Sequence, residues 1–172
     1  KEILENNIYK KKFKYEFFKN DEEFFNLVAK LIGQGNVIGW FQGKMEFGPR
    51  ALGNRSILAD PSNPKMKEII NLKIKKRESY RPFAPFCKKE DVHKYFESRD
   101  FENMEYMSFA VKVKVDNLPS ITHIDGTARL QTVTEESHSH FYELLTEFGK
   151  ISDTAIYVQG YSGHGVAFSQ IA

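Results

Sequence analysis

The sequence predicts an α/β or α+β domain on a mixed, twisted sheet, and three observations predict it. Apolar runs of strand length alternate along the chain with runs whose apolar residues recur at helical spacing. Turn signals such as Gly-x-Gly, Asn-Pro and Asp-Gly punctuate them. The bulk numbers permit a real core: 172 residues are 41% hydrophobic and 28% charged. At about 150 residues a domain removes roughly 70% of its unfolded surface from water.

Residues 1–19 mix Lys with Phe, Tyr and Ile and are expected to be a linker from an upstream domain. Asp21 is the expected N-cap of a helix in which Phe24, Phe25, Val28, Leu31 and Ile32 share one stripe, stopped by Gly33 and Gly35. NVIGWFQG (36–43) predicts a buried strand. A Gly-rich loop follows, with one helical turn expected at PRAL, where Pro49 suits a first helical position. Ser56 to Ala59 predicts a second strand, ended by DPSNP. KMKEIINLKIKKR (65–77) predicts a helix with Met66, Ile69, Ile70 and Ile74 on one face and its lysines in solvent.

In YRPFAPFC two prolines exclude a regular helix and leave an extended, aromatic-rich segment. KKEDVHKYFE predicts a short helix. MSFAVKVKV (107–115) alternates cleanly and predicts the best strand of the chain, with Phe109, Val111, Val113 and Val115 on one side and Lys112 and Lys114 on the other. ITHIDGTARLQTV places an Asp125-Gly126 turn between two β-prone runs. SHFYELLTEFG predicts a helix closed by Gly149, and TAIYV a final strand.

A net charge of +2 is too small for a general nucleic-acid or membrane binder, so any recognition of anions must come from a local cluster. No apolar run approaches the ~20 residues of a membrane span. The lone Cys87 excludes an internal disulfide and fits a reducing compartment; a cytoplasmic location is expected. The chain opens on Lys1, without an initiator Met or the apolar core of a signal peptide, and is expected to start inside a larger protein.

The densest candidate is GKMEFGPRALGNRS (43–56). Glycines such as Gly48 permit close approach of a ligand to backbone N–H groups, and a phosphate needs such donors beside fixed cations. Arg50 and Arg55 offer planar forks, and Lys44 a point charge. The alternative is a structural turn whose arginines pair with Glu46 and Asp60. Arg81, set among prolines and aromatics, suits either ligand contact or stacking on Phe or Tyr. His123, Asp125, Thr127 and Arg129 cluster at one turn, where a polar turn with a satisfied His competes with half a metal site. His138 and His140 read as surface residues and Cys87 as a small buried hydrophobe. No Ser/His/Asp or Cys/His set is evident.

KMEFGPRALGNRSILADP, the segment from Lys75 to Phe86, and THIDGTARLQTV together resemble the C-terminal domain of the O-carbamoyltransferases of nodulation-factor and antibiotic biosynthesis. The resemblance runs from about Phe17 to about Thr154. It implies a YrdC-like twisted mixed sheet with flanking helices over residues 20–158, and a chemistry. ATP and carbamoyl phosphate would be condensed to carbamoyl adenylate with release of pyrophosphate. An absent N-terminal Kae1-like domain, which alone would hold Fe or another metal, would pass the carbamoyl group to a hydroxyl. The resemblance assigns catalysis to Lys44, Arg50, Arg55 and Arg81. It sets Gly48, Asn54, Ser56, His123, Asp125, Thr127 and Arg129 beside the substrates. Mg²⁺ is expected with ATP, held by phosphate oxygens, with no metal site in this chain. The partners implied are the two substrates and the Kae1-like domain, with no nucleic acid or membrane and with a homodimer left open. Residues 159–172 depart from the family: GYSGHGVA resembles the flavin-contacting C-terminal segment of amine oxidases, and no Gly-x-Gly-x-x-Gly supports a flavin site. That tail reads as a fusion or frameshift, and a catalytically inactive nucleotide-binding or interaction module is the alternative function.

Overall fold

A computed structural model describes residues 14–48, 50–97 and 104–154, together with the backbone of 156–161. Residues 1–13 of the expected 1–19 linker and residues 162–172 of the expected 159–172 tail lie outside the described residues, as does Pro49. Among the described residues the architecture is α+β, with a five-stranded and a three-stranded sheet.

Helix α1 spans Asp21–Gly33. Its cap is Asn20, one residue before the expected Asp21, because the Asn20 side chain accepts from the Glu22 N–H at 3.0 Å. That releases Asp21 to join Glu22 and Glu23 in the first turn, where carboxylates favour the helix dipole. Strands β1 (Ile38–Phe41) and β2 (Arg55–Leu58) pair antiparallel, with Trp40 opposite Ser56. β1 is an edge strand whose Phe41 is exposed, so the expectation of a fully buried strand fails. Residues 50–52 form no helical turn.

The expected helix over 65–77 is two pieces: α2 (Met66–Ile69) and a π-helical turn, Ile70–Lys75, that ends at Lys76 in the left-handed region. Strand β3 (Ala84–Lys88) lies inside the sheet despite Pro85. Its parallel pairing with β7 (Gln131–Val133) begins at Phe86, so the missing proline N–H costs no bond on that side. On the other side β3 pairs antiparallel with β8 (Ile156–Tyr161), giving the order β1-β2-β8-β3-β7.

Short pieces follow β3: a 3₁₀ turn, Lys89–Asp91, and α3 (Val92–Tyr95). β4 (Phe96–Glu97), β5 (Val111–Val113) and β6 (Thr127–Ala128) form the small antiparallel sheet. The cleanest alternation of the sequence thus yields three residues of strand, because β4 and β6 supply only two partners each and leave Phe109 and Ala110 in solvent. The run before Asp125-Gly126 is likewise turn rather than strand. Helix α4 (Ser139–Gly149) precedes β8.

The large sheet is buried on both faces. Leu58 and Phe86 face a cluster with Phe25, Val28 and Ile32 of α1 and Phe141, Leu144 and Phe148 of α4. Their neighbours Ile57 and Cys87 face the opposite way, into a cluster with Met66, Ile70, Phe83, Val92, Leu118 and Leu130. Successive strand residues point to opposite faces, so two-sided burial explains why these strands read as continuous apolar runs. Among the described residues no helix is long and apolar enough to cross a membrane.

Candidate functional site

A cleft of about 440 Å³ opens on the Phe83 side of the large sheet. Three loops supply its basic side chains: Arg50 from the β1–β2 loop, Arg77 and Arg81 from the segment before β3, and Arg129 with the titratable His123 from the turn around β6. Ala51, Pro82, Phe83, Ala84 and Met107 form its apolar wall.

Each arginine-bearing loop is tied to one polar side chain, largely buried in the first two and exposed in the third. In the first, Glu46 Oε1 accepts from the N–H groups of Leu52 at 2.6 Å and Asn54 at 2.7 Å. Its Oε2 meets Arg55 Nε at 3.3 Å, and Arg55 Nη2 donates to the Gly48 carbonyl at 2.7 Å. In the second, Asn71 reaches from the π turn into residues 77–81. The third is an Asp-Gly turn in which Asp125 accepts from the Thr127 N–H at 3.0 Å and its hydroxyl at 2.8 Å. Gly126, at φ 77°, supplies the left-handed corner of that turn.

Arg77 is held below its ordinary affinity for protons by burial first and then by the charge of Arg81, with Glu78 opposing. Its guanidinium stacks 5.0 Å above the Phe83 ring. Arg81 pairs with Glu78 at 3.0 Å, but both side chains remain about half exposed, so the pair leaves the arginine accessible to a competing anion. Burial lowers His123 more than Asp125 raises it. The Cys87 thiol is buried and pushed well up by desolvation, which makes it a core residue and an unreactive one.

Arg50, Arg81, His123 and Arg129, all singled out from the sequence, therefore line one cleft. The other candidates lie apart from it. Arg55 is engaged by Glu46, and Lys44 is exposed, its carbonyl taken by Asn54 Nδ2 at 2.8 Å. Gly48 and Asn54 serve the loop's own bonding. Ser56 is buried within β2, and Asp125 and Thr127 bond each other. Among the described residues Asp60 pairs with no arginine; it accepts from Ser62. His138, expected at the surface, is half-buried against Gly53 and lowered by burial. Sequence reasoning quoted Arg77 and passed over it; its i, i+4 spacing from Arg81 was the available signal. Met107 gave none.

The fold and cleft define an α+β domain carrying a concentrated cationic hollow. Residues 29–160 match the family described as carbamoyltransferase C-terminus, and the chain belongs to that family. Among its relatives, the nodulation protein NolO of Bradyrhizobium diazoefficiens is 46% identical over 136 residues, covering 77% of this chain and 25% of that protein. The 3'-hydroxymethylcephem-O-carbamoyltransferase of Streptomyces clavuligerus is 40% identical over 123 residues, covering 72% of this chain and 23% of its own. The Amycolatopsis lactamdurans protein of the same name is 43% identical over 126 residues, covering 73% and 24%. The chain spans about a quarter of the length of the curated relatives it matches.

Proposed function

We propose that this domain serves an ATP-dependent O-carbamoyl transfer by condensing carbamoyl phosphate with ATP to carbamoyl adenylate. The convergence of Arg50, Arg77, Arg81 and Arg129 on one cleft carries the reading. Both substrates are polyanions, and at 4 Å two unit charges repel by about 4 kcal/mol at a surface-like effective dielectric. Fixed guanidiniums between them offset that repulsion and hold the reacting oxygens in place, which is how phosphoryl and adenylyl transfers are mainly catalysed. A cavity of about 440 Å³ lies within the range of nucleotide-sized sites. The balance of the reaction requires two leaving groups. Water takes the phosphoryl group of carbamoyl phosphate as orthophosphate, and the freed carboxyl oxygen attacks the α-phosphorus of ATP as the bond to pyrophosphate breaks. Mg²⁺ enters with the nucleotide, bound to phosphate oxygens.

Transfer onward to a hydroxyl is assigned to an N-terminal Kae1-like domain of the same protein. Exposed apolar side chains on the segments that line the cleft support a docked partner: Phe47, Tyr80, Tyr106 and Ile124 are 109%, 73%, 61% and 108% exposed. Each lies within three positions of a residue lining the cleft. Large exposed apolar side chains next in sequence to the lining of a charged hollow suit a surface that closes over it.

A second reading, a nucleotide-binding module without catalysis, is favoured by the engagement of Arg55 with Glu46 and the position of Lys44 outside the cleft. Pyrophosphate exchange decides between them. The chain is incubated with ATP, Mg²⁺, carbamoyl phosphate and labelled pyrophosphate, and label is expected in ATP. A folded sample that binds ATP but exchanges no label supports the second reading and overturns the first.

A further inference from the structure

We infer that Asn71 is the positioning residue of the cleft's two-arginine arm, holding Arg77 and Arg81 in register for an anion; the inference rests on the reading of the cleft above. Asn71 is fully buried at the start of the π turn, and both polar atoms of its side chain are directed at the arm. Its Oδ1 accepts from Arg77 Nε at 2.7 Å. Its Nδ2 donates to the carbonyls of Ser79 at 3.1 Å and Arg81 at 2.7 Å, which uses both amide protons. Its own carbonyl accepts from the N–H groups of Lys76 and Arg77.

Two arginines four residues apart repel, as the lowering of Arg77 by Arg81 records. A free loop would relax by swinging them apart. One amide prevents this by fixing the arm at three points, at the side chain of 77 and the backbone of 79 and 81. It engages Arg77 only through Nε. Among the described residues no hydrogen bond takes the terminal nitrogens of Arg77, so its fork remains for a ligand of the cleft it lines. Neither an acid nor an apolar side chain of similar size can replace it. Aspartate would accept from Arg77 and partly neutralise it, but would face two carbonyls with no proton to offer. Leucine would strand all three groups.

The test uses the whole chain with inorganic pyrophosphate as the probe, by calorimetry in magnesium-free buffer. Asn71→Ala and Asn71→Asp are expected to weaken binding by about 10- to 100-fold, as misplacement of supporting contacts does. The loss should shrink to less than about threefold in an Arg77→Ala, Arg81→Ala background, because the amide acts through those arginines. A folded Asn71 variant with wild-type affinity, or an equal loss in that background, overturns this inference and leaves the reading of the cleft intact. A wild-type chain that binds no pyrophosphate overturns both. If neither variant folds, the wild type decides by NMR. The Arg77 Nε–H and both Asn71 amide protons should exchange slowly, with the Arg77 signal shifting on pyrophosphate titration. Fast exchange or an unmoved Arg77 signal refutes the assignment.

Discussion

Replacing Glu46 by glutamine isolates one buried charge without changing the shape of the loop that carries Arg50. The amide oxygen still accepts from Leu52 and Asn54, but an NH₂ group now faces Arg55 Nε across 3.3 Å, donor against donor. The Glu46 and Arg55 side chains are only 9% and 11% exposed, so water does little to compensate. Breaking one partner of a buried pair costs roughly 3–5 kcal/mol. Arg55 keeps its bond to the Gly48 carbonyl, which favours the lower end, about 3 kcal/mol. In a chain of this size that lowers the melting midpoint by roughly 6–12 °C. Thermal and urea unfolding followed by circular dichroism measure it. Adding Arg55→Met to Glu46→Gln should recover part of the loss, since the donor that faces the new amide goes with it. A midpoint within about 2 °C of wild type for Glu46→Gln alone, with an unchanged urea slope, would refute the claim that this carboxylate anchors the loop.

The cleft makes a graded prediction about its cations: Arg50→Ala should weaken pyrophosphate binding by roughly 1.5–3 kcal/mol, while Lys44→Ala, outside the cleft, leaves it nearly unchanged by calorimetry. Arg55→Ala should act chiefly on stability, in contrast to its expected role at the substrates. His123 is lowered by burial and so is neutral in the empty cleft at neutral pH; an anion beside it favours the charged form. Pyrophosphate affinity should therefore rise as pH falls through the histidine range, and His123→Gln should remove that part of the slope. Lys75 is lowered to about 8 by burial and by Arg77. A lysine lowered on folding binds fewer protons native than unfolded between its two pKa values, so stability rises with pH from about 8 toward 10.5. Comparing urea midpoints of wild type and Lys75→Met from pH 7 to 9 tests it, and identical pH profiles would contradict the burial of that ammonium.

Much of the fold was legible because local patterns and tertiary environment agree. The stripe of Phe25, Val28 and Ile32 is helical in spacing and buried in fact. MSFAVKVKV shows the opposite case: alternation states which side each residue would face, but strand length is set by partners, and β4 and β6 are short. The cleft was half legible. Arginines among glycines and prolines announce themselves, so Arg50, Arg81 and Arg129 could be named, whereas separating Arg50 from Arg55 required knowing which one Glu46 engages. Asn71 was invisible for a similar reason. A single polar residue inside a Lys- and Ile-rich run reads as solvated until the π turn places it at full burial.

Trp40, the chain's one tryptophan, lies 5% exposed among Phe24, Phe25 and Phe141, in the cluster across the large sheet from the arginines. Its emission will therefore register the melting of the α1–α4 half and stay dark to an anion arriving on the other side. Spectroscopists titrating this domain by intrinsic fluorescence would record a flat line from a fully occupied cleft.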